Sequence, residues 1–175
     1  MATNLQFLKQ AINTSGRITS FELTDCFPSI YKVFQVHCEA TTYTDLARQV
    51  DVRLIDASGS VISDSEYQYA RLQTRSNASF NQNQSTGDTN WDRPFCTNDN
   101  FPEPAVGILT IFNPADSGKF TYATSEGASM NGSSNLRGGK FIGVHKSNET
   151  ITGIQIFNSD NAMGNGTKLT VYGVF

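Results

Sequence analysis

A chain of 175 residues is within the size of one domain and can bury roughly two thirds of its unfolded surface around a single core. Only 17% of the residues are charged and the net charge is -3, which leaves no basic footprint for nucleic acid and no polybasic patch for anionic lipid. No apolar run approaches the roughly 18 residues of a membrane span, and the start "MATNLQFLKQAINTSG" lacks a basic segment followed by an apolar one, so synthesis in a cytoplasm is expected.

Residues 1–16 read as an N-terminal latch. Leu5, Phe7, Leu8, Ala11 and Ile12 are apolar and allow one or two short helical turns or an extended segment, and Asn13 to Gly16 breaks any helix. From residue 17 the dominant period is two. "RITSFEL" (17 to 23) opens it, and in "KVFQVHCEA" Phe34, Val36, Cys38 and Ala40 share one face while Gln35, His37 and Glu39 share the other, the pattern of a half-buried antiparallel strand. "QVDVRLID" repeats it with Val50, Val52 and Leu54 inward, and "SEYQYARLQ" does so with its two tyrosines.

Residues 75–104, "RSNASFNQNQSTGDTNWDRPFCTNDNFPEP", break the pattern and read as a long polar loop that holds Phe80, Trp91, Phe95 and Phe101. "AVGILTIF" (105 to 112), "KFIGVHK" (140 to 146) and "ITGIQIF" (151 to 157) are short and continuously apolar, which suits central strands covered on both faces. "GKFTYAT" alternates with Phe120 and Tyr122 inward, and the Gly- and Ser-rich "SEGASMNGSSNLRGG" (125 to 139) reads as a flexible tip. The closing "GNGTKLTVYGVF" (164 to 175) pairs with "ITGIQIF" as a hairpin that buries Leu169 and Val171. Eight or nine strands with almost no helix predict an all-β protein, an antiparallel β-sandwich or jelly roll spanning residues 17–175 as one domain.

Residues that carry chemistry are few. His37 and His145 sit on separate strands with no catalytic motif around them and read as strand-surface or hydrogen-bonded structural histidines, with a pairing to Cys38 or Cys96 as a remote alternative. Cys26, Cys38 and Cys96 are odd in number and lack metal-knuckle spacing, so buried free thiols are expected. Asp88, Asp92 and Asp99 match no calcium loop, and solvated carboxylates are the simpler reading. "RGGKFIG" lacks the ending of a phosphate loop and reads as a glycine bend into a strand. Sequons begin at Asn13, Asn77, Asn83, Asn131, Asn148 and Asn165, about twice the number that so Asn-, Ser- and Thr-rich a chain gives by chance, but without a signal peptide they carry little weight. The outward faces are rich in Ser, Thr, Asn, Gln and Tyr, a surface that can bury against a partner without stranding many charges, so assembly is a better expectation than catalysis.

Three stretches carry a resemblance: "NLQFLKQ", "ELTDCFPSIYKVFQVHCEA" and "ITGIQIFNSDNAMGNGTKLTVYGVF", about a third of the chain. They resemble a family of small virion structural proteins of tailed bacteriophages, common in marine and cyanobacterial phages. There an "LEFIK"-like segment precedes a "DVFS..YDVY" strand, and the chain closes on "I..I.I......F..G..I.LYG". Ile151, Ile154, Ile156, Met163, Gly166, Leu169, Tyr172 and Gly173 occupy the closing positions; Met163 stands where the pattern has an aromatic, and Val174 with Phe175 replaces a terminal isoleucine.

The resemblance implies a β-sandwich displayed on a virion, made in the host cytoplasm. It implies a non-enzymatic capsid decoration (cement) protein that assembles as a homotrimer on the major capsid protein, or a tail or fibre component among tail proteins that touches host-surface glycan. No cofactor, nucleic acid or membrane is expected. Exposed apolar side chains are the expected contacts: Leu5, Phe7, Leu8 and Ile12 of the latch, and Trp91, Phe95 and Phe101 of the long loop. A lone Trp can equally be the plug that packs such a loop onto the sandwich.

Overall fold

Eleven strands and no helix occur among the described residues of the computed structural model, which are 4–41, 50–77, 79–95, 103–131, 133–158 and 163–175. In chain order they are β1 (Leu5–Ile12), β2 (Ser20–Leu23), β3 (Val33–Ala40), β4 (Asp51–Asp56), β5 (Tyr67–Arg75) and β6 (Phe80–Asp88), followed by β7 (Ala105–Phe112), β8 (Thr121–Met130), β9 (Leu136–His145), β10 (Ile151–Phe157) and β11 (Lys168–Val174). The protein is all-β. Eight strands form one antiparallel sheet in the order β1-β11-β3-β7-β8-β9-β5-β6, and β2-β10-β4 form a second that lies against it as a sandwich.

The core lies between the sheets. Phe34, Val36, Cys38 and Ala40 of β3 and Leu169 and Val171 of β11 point into it from the large sheet, and Val52, Leu54, Ile154 and Ile156 meet them from the small one. The period-two pattern on these strands is the direct record of that burial. Both faces of β10 are covered, as its continuous apolar run leads one to expect. Gly173 is required by packing: the Tyr31 ring lies 2.7 Å from where a β-carbon would stand.

The structure departs from the sequence reading in several places. Of its two expected forms the latch takes the extended one, and it is not separate, because β1 pairs along its length with β11 and adds an edge strand to the large sheet. A β-bulge between Phe7 and Lys9 shifts the alternation, so that Leu8 and Ala11 pack on the core while Leu5, Phe7 and Ile12 turn to solvent. The long loop at 75–104 contains β6, paired with β5. Its "FNQNQSTGD" shows no apolar alternation because an edge strand with two wet faces is held by backbone hydrogen bonds and not by burial.

The expected flexible tip at 125–139 is the two arms of the β8–β9 hairpin. Asn131 closes it, its side-chain oxygen accepting from the backbone N–H groups of Ser133 and Asn135. On β8 the register is opposite to expectation: Thr121 and Ala123 face the core and Phe120 and Tyr122 face out. Small inward residues are needed there because Phe95 and Trp91, from the segment after β6, fill the space in front of the neighbouring strands.

Lastly, β10 and β11 are not a hairpin; they belong to opposite sheets. The chain between them crosses the sandwich, with Met163 bridging Ile18 and the buried Asn13 clamping the far side. Asn13 accepts from Gly166 N–H through its backbone oxygen and donates from its backbone N–H to Thr167 and from its side-chain amide to Gly164. An amide so employed is not a glycan acceptor, whatever its sequon.

Candidate functional site

The register of the eight-stranded sheet defines its outer face row by row. One row runs Phe7, Tyr172, Gln35, Thr110, Thr124, Ile142, Ala70 and Gln84 across all eight strands. The row beside it runs Gln10, Thr170, His37, Ile108, Glu126, Lys140, Leu72 and Gln82. The rows beyond these carry Leu5, Phe112 and Tyr122 on one side and Ile12, Val106 and Phe80 on the other. At ordinary strand spacing and rise, the face measures roughly 34 by 23 Å, on the order of 800 Å².

This face is open and sets large apolar side chains among uncharged polar ones. Ile142 is 61% exposed, Phe7 54%, Tyr122 50% and Ile108 42%, values typical of surface polar residues and not of isoleucine or phenylalanine. β7 and β9 are therefore covered on one face only, contrary to the expectation that both are buried on two. Charges on the face come in opposite pairs: Lys140 Nζ lies 2.8 Å from Glu126, and Lys168 pairs with Glu39. Each pair joins neighbours within one row, so a flat partner could cover them without leaving a lone charge. His37 lies here too, its ring 4.9 Å from that of Tyr172 and its Nε2 3.2 Å from Gln35 Oε1; partial burial holds its pKa below the usual histidine value.

The expected contact residues divide. Leu5, Phe7 and Ile12 stand exposed on the outer face, and Leu8 packs inward. Trp91 and Phe95 are buried, which corrects the expectation that they are exposed anchors. Trp91 exchanges both backbone hydrogen bonds with Val52, extending the small sheet by one bridge, and its indole N–H donates to Val144 O at 3.3 Å. Its ring packs edge-on against Tyr67 and Phe141 and sits over Gly143, where a β-carbon would come within 2.9 Å of Nε1. Phe95 covers Gly107, and Ser125 Oγ donates to the neighbouring Pro94 carbonyl. Trp91 is thus the plug of this segment. Phe101 lies outside the described residues, as do Cys96 and Asp99.

The remaining candidates are absorbed by structure. Asp92 binds Arg71 at 2.9 Å, Arg93 at 3.0 Å and Asn83 at 2.9 Å, and Asp88 accepts from Thr89 N–H. Asp51, which the sequence did not single out, is half-buried beside this network; desolvation and the Asp92 charge push its pKa up to about 7. Cys26 and Cys38 are buried free thiols, both pushed up to about 12 by burial. His37 and Cys38 are adjacent on one strand and face opposite sides of the sheet, so they form no pair. His145 is neither on the surface nor hydrogen-bonded: its side chain is fully buried and neither ring nitrogen has a hydrogen-bond partner.

The outer-face residues that sequence reasoning missed, Val106, Ile108, Tyr122 and Ile142, had a signal. An apolar run on an antiparallel strand marks either two covered faces or one covered and one unpartnered, and β7 and β9 are of the second kind. No family model matches the chain, and no curated protein matches it. Among solved structures, the chain is similar at 9% identity to the infectious bursal disease virus VP2 subviral particle, over 98% of this chain and 40% of that chain, with a TM-score of 0.16. The chain thus spans less than half the length of that protein, and the likeness is too slight to carry an argument.

Proposed function

We propose that this chain is a non-enzymatic virion structural protein of a tailed phage, most concretely a capsid decoration protein, that assembles through the outer face of its eight-stranded sheet against further copies of itself. The observation that carries the reading is that face: open, set with exposed large apolar side chains among uncharged polar ones, and balanced in charge by its own ion pairs. A surface with no net charge asks for no partner of opposite sign and is compatible with a copy of itself. Its extent, on the order of 800 Å², is what one partner contributes to a standard stable interface. The resemblance at both chain ends supports the virion setting, and three such sheets packed about a three-fold axis are compatible with the trimer that the resemblance implies. The capsid contact then falls to surfaces outside the trimer.

Light scattering on the purified chain tests the assembly, and labelled antibody on purified particles tests the setting. The expected results are a trimer mass, reduced to that of a monomer by Ile142→Glu, and label on the head. A monomer at all concentrations overturns the assembly reading. Label confined to the tail, or binding on a glycan array, overturns the decoration reading in favour of a receptor-binding module.

A further inference from the structure

We infer that Glu66, His145 and Glu149 form a binding site for one divalent transition-metal ion of the zinc class, at the corner where the turn before β5 meets the loop after β9. Their ligand atoms all lie within 4.8 Å of one another. His145 Nε2 is 3.5 Å from Glu66 Oε2 and 3.8 Å from Glu149 Oε1. Two donors each about 2.1 Å from a tetrahedral zinc ion lie about 3.4 Å apart, so both carboxylates stand close to that spacing from Nε2, and an adjustment of the carboxylates, about an ångström at most, brings all three donors to it. Both carboxylates are partly exposed, at 41% and 31%, so they can make that adjustment and offer the ion a path from solvent.

The second observation is the state of the imidazole. Its side chain is fully buried, between the Tyr67 ring at 4.8 Å and the strand of Thr121, and neither nitrogen has a hydrogen-bond partner. A buried polar group left unpaired is costly, and natural structures keep few of them. Here the unpaired Nε2 points at two carboxylates, which accept only, while a neutral imidazole can satisfy at most one of them. A cation among the three resolves the mismatch.

The Thr121 hydroxyl, on the residue directly opposite His145, is a second buried polar group without a partner at this corner. One nitrogen and two carboxylate oxygens suit zinc, cobalt or manganese, whereas calcium and magnesium select all-oxygen sites. Bound there, the ion would tie the β9–β10 loop to the β5 turn, where the backbone already makes a bond from Lys146 N–H to Glu66 O at 2.9 Å.

The test is titration of the full chain, stripped with a chelator, with Zn2+ by calorimetry and with Co2+ by visible absorbance. The expected result is one ion per chain and a rise in Tm on binding, with Ca2+ giving neither. Because His145→Gln can fail to fold, the deciding variants are Glu66→Gln and Glu149→Gln, at partly exposed positions. Each is expected to weaken Zn2+ binding at least about tenfold, and the double variant to abolish the Co2+ spectrum with the apo Tm kept within a few degrees. Absence of saturable Zn2+ binding, or binding unchanged in the double variant, overturns the site. Equal affinity for Ca2+ overturns its assignment to a transition metal. None of these outcomes depends on the state of assembly.

Discussion

The two faces of the eight-stranded sheet are built from alternate residues of the same strands, yet one is sealed and the other is bare. On β7, Leu109 and Ile111 are fully buried, whereas Val106 and Ile108, one residue out of phase, are more than two-fifths exposed. The side chains are alike; the covering differs. The small sheet of β2, β10 and β4, extended by the Trp91 bridge, lies over the inner face only. Hydrophobicity along a strand therefore tells which residues share a face, and whether that face has a lid inside the same chain is a separate matter.

The comparison can be broken first from the inside. Deleting Val171 to Phe175 removes most of β11, the strand between β1 and β3, with the fully buried Val171, which contributes about 1.5 to 3 kcal/mol, and the backbone pairing of that stretch to both neighbours. The expected outcome is loss of the cooperative unfolding transition by circular dichroism, since β1 loses its partners from Leu5 to Lys9 and β3 is left with an open edge beside the core. Trp91→Ala comes next: it empties the space between Tyr67, Phe141 and Gly143 and is expected to cost about 3 to 5 kcal/mol, read as a fall in Tm of about 10 °C or more. A Trp that served an outside partner would instead leave the free chain's Tm unchanged.

A third test addresses the polar margin of the inner layer. The raised pKa of Asp51 means that, between about pH 4 and pH 7, the native chain holds a proton that the unfolded chain releases. The stability due to neutral Asp51 is thus fully present below about pH 4 and is lost as pH rises through about 7. Asp51→Asn, which keeps an acceptor for the Arg93 N–H, is expected to unfold at higher denaturant than wild type at pH 8, by roughly 1 to 3 kcal/mol, and to match it at pH 4. The smallest effect on stability belongs to the outer face. Ile108→Lys is expected to change the free chain's stability by no more than about 0.5 kcal/mol while abolishing its self-association in light scattering. A large loss of stability there would mean that the face is already covered.

Much of the fold was legible. The alternation in β3, β4 and β11 placed Phe34, Val52 and Leu169 inside, and the lack of 3.6-residue periodicity excluded helices from most of the chain. Where the reading failed, the missing information was non-local. β6 and β1 are edge strands, held by pairing with β5 and β11, so nothing in "FNQNQSTGD" needed to be apolar, and one bulge was enough to reverse the phase of β1. The candidate sites were less legible still. Glu66 lies 79 positions before His145 in the chain, and only the pairing of Tyr67 with His145 brings them together.

By itself, then, the amino-acid sequence determined the layer count, the inward residues of most strands and the burial of Leu169 and Val171 near the C-terminus, because the two-residue period of a strand is a local property. Only the tertiary structure decided that β10 and β11 part into opposite sheets, that Trp91 and Phe95 close the core, and that Ile108 and Ile142 stand uncovered. Each of these depends on which segments meet across the sandwich, and pairing between distant strands leaves no period in the chain that makes it.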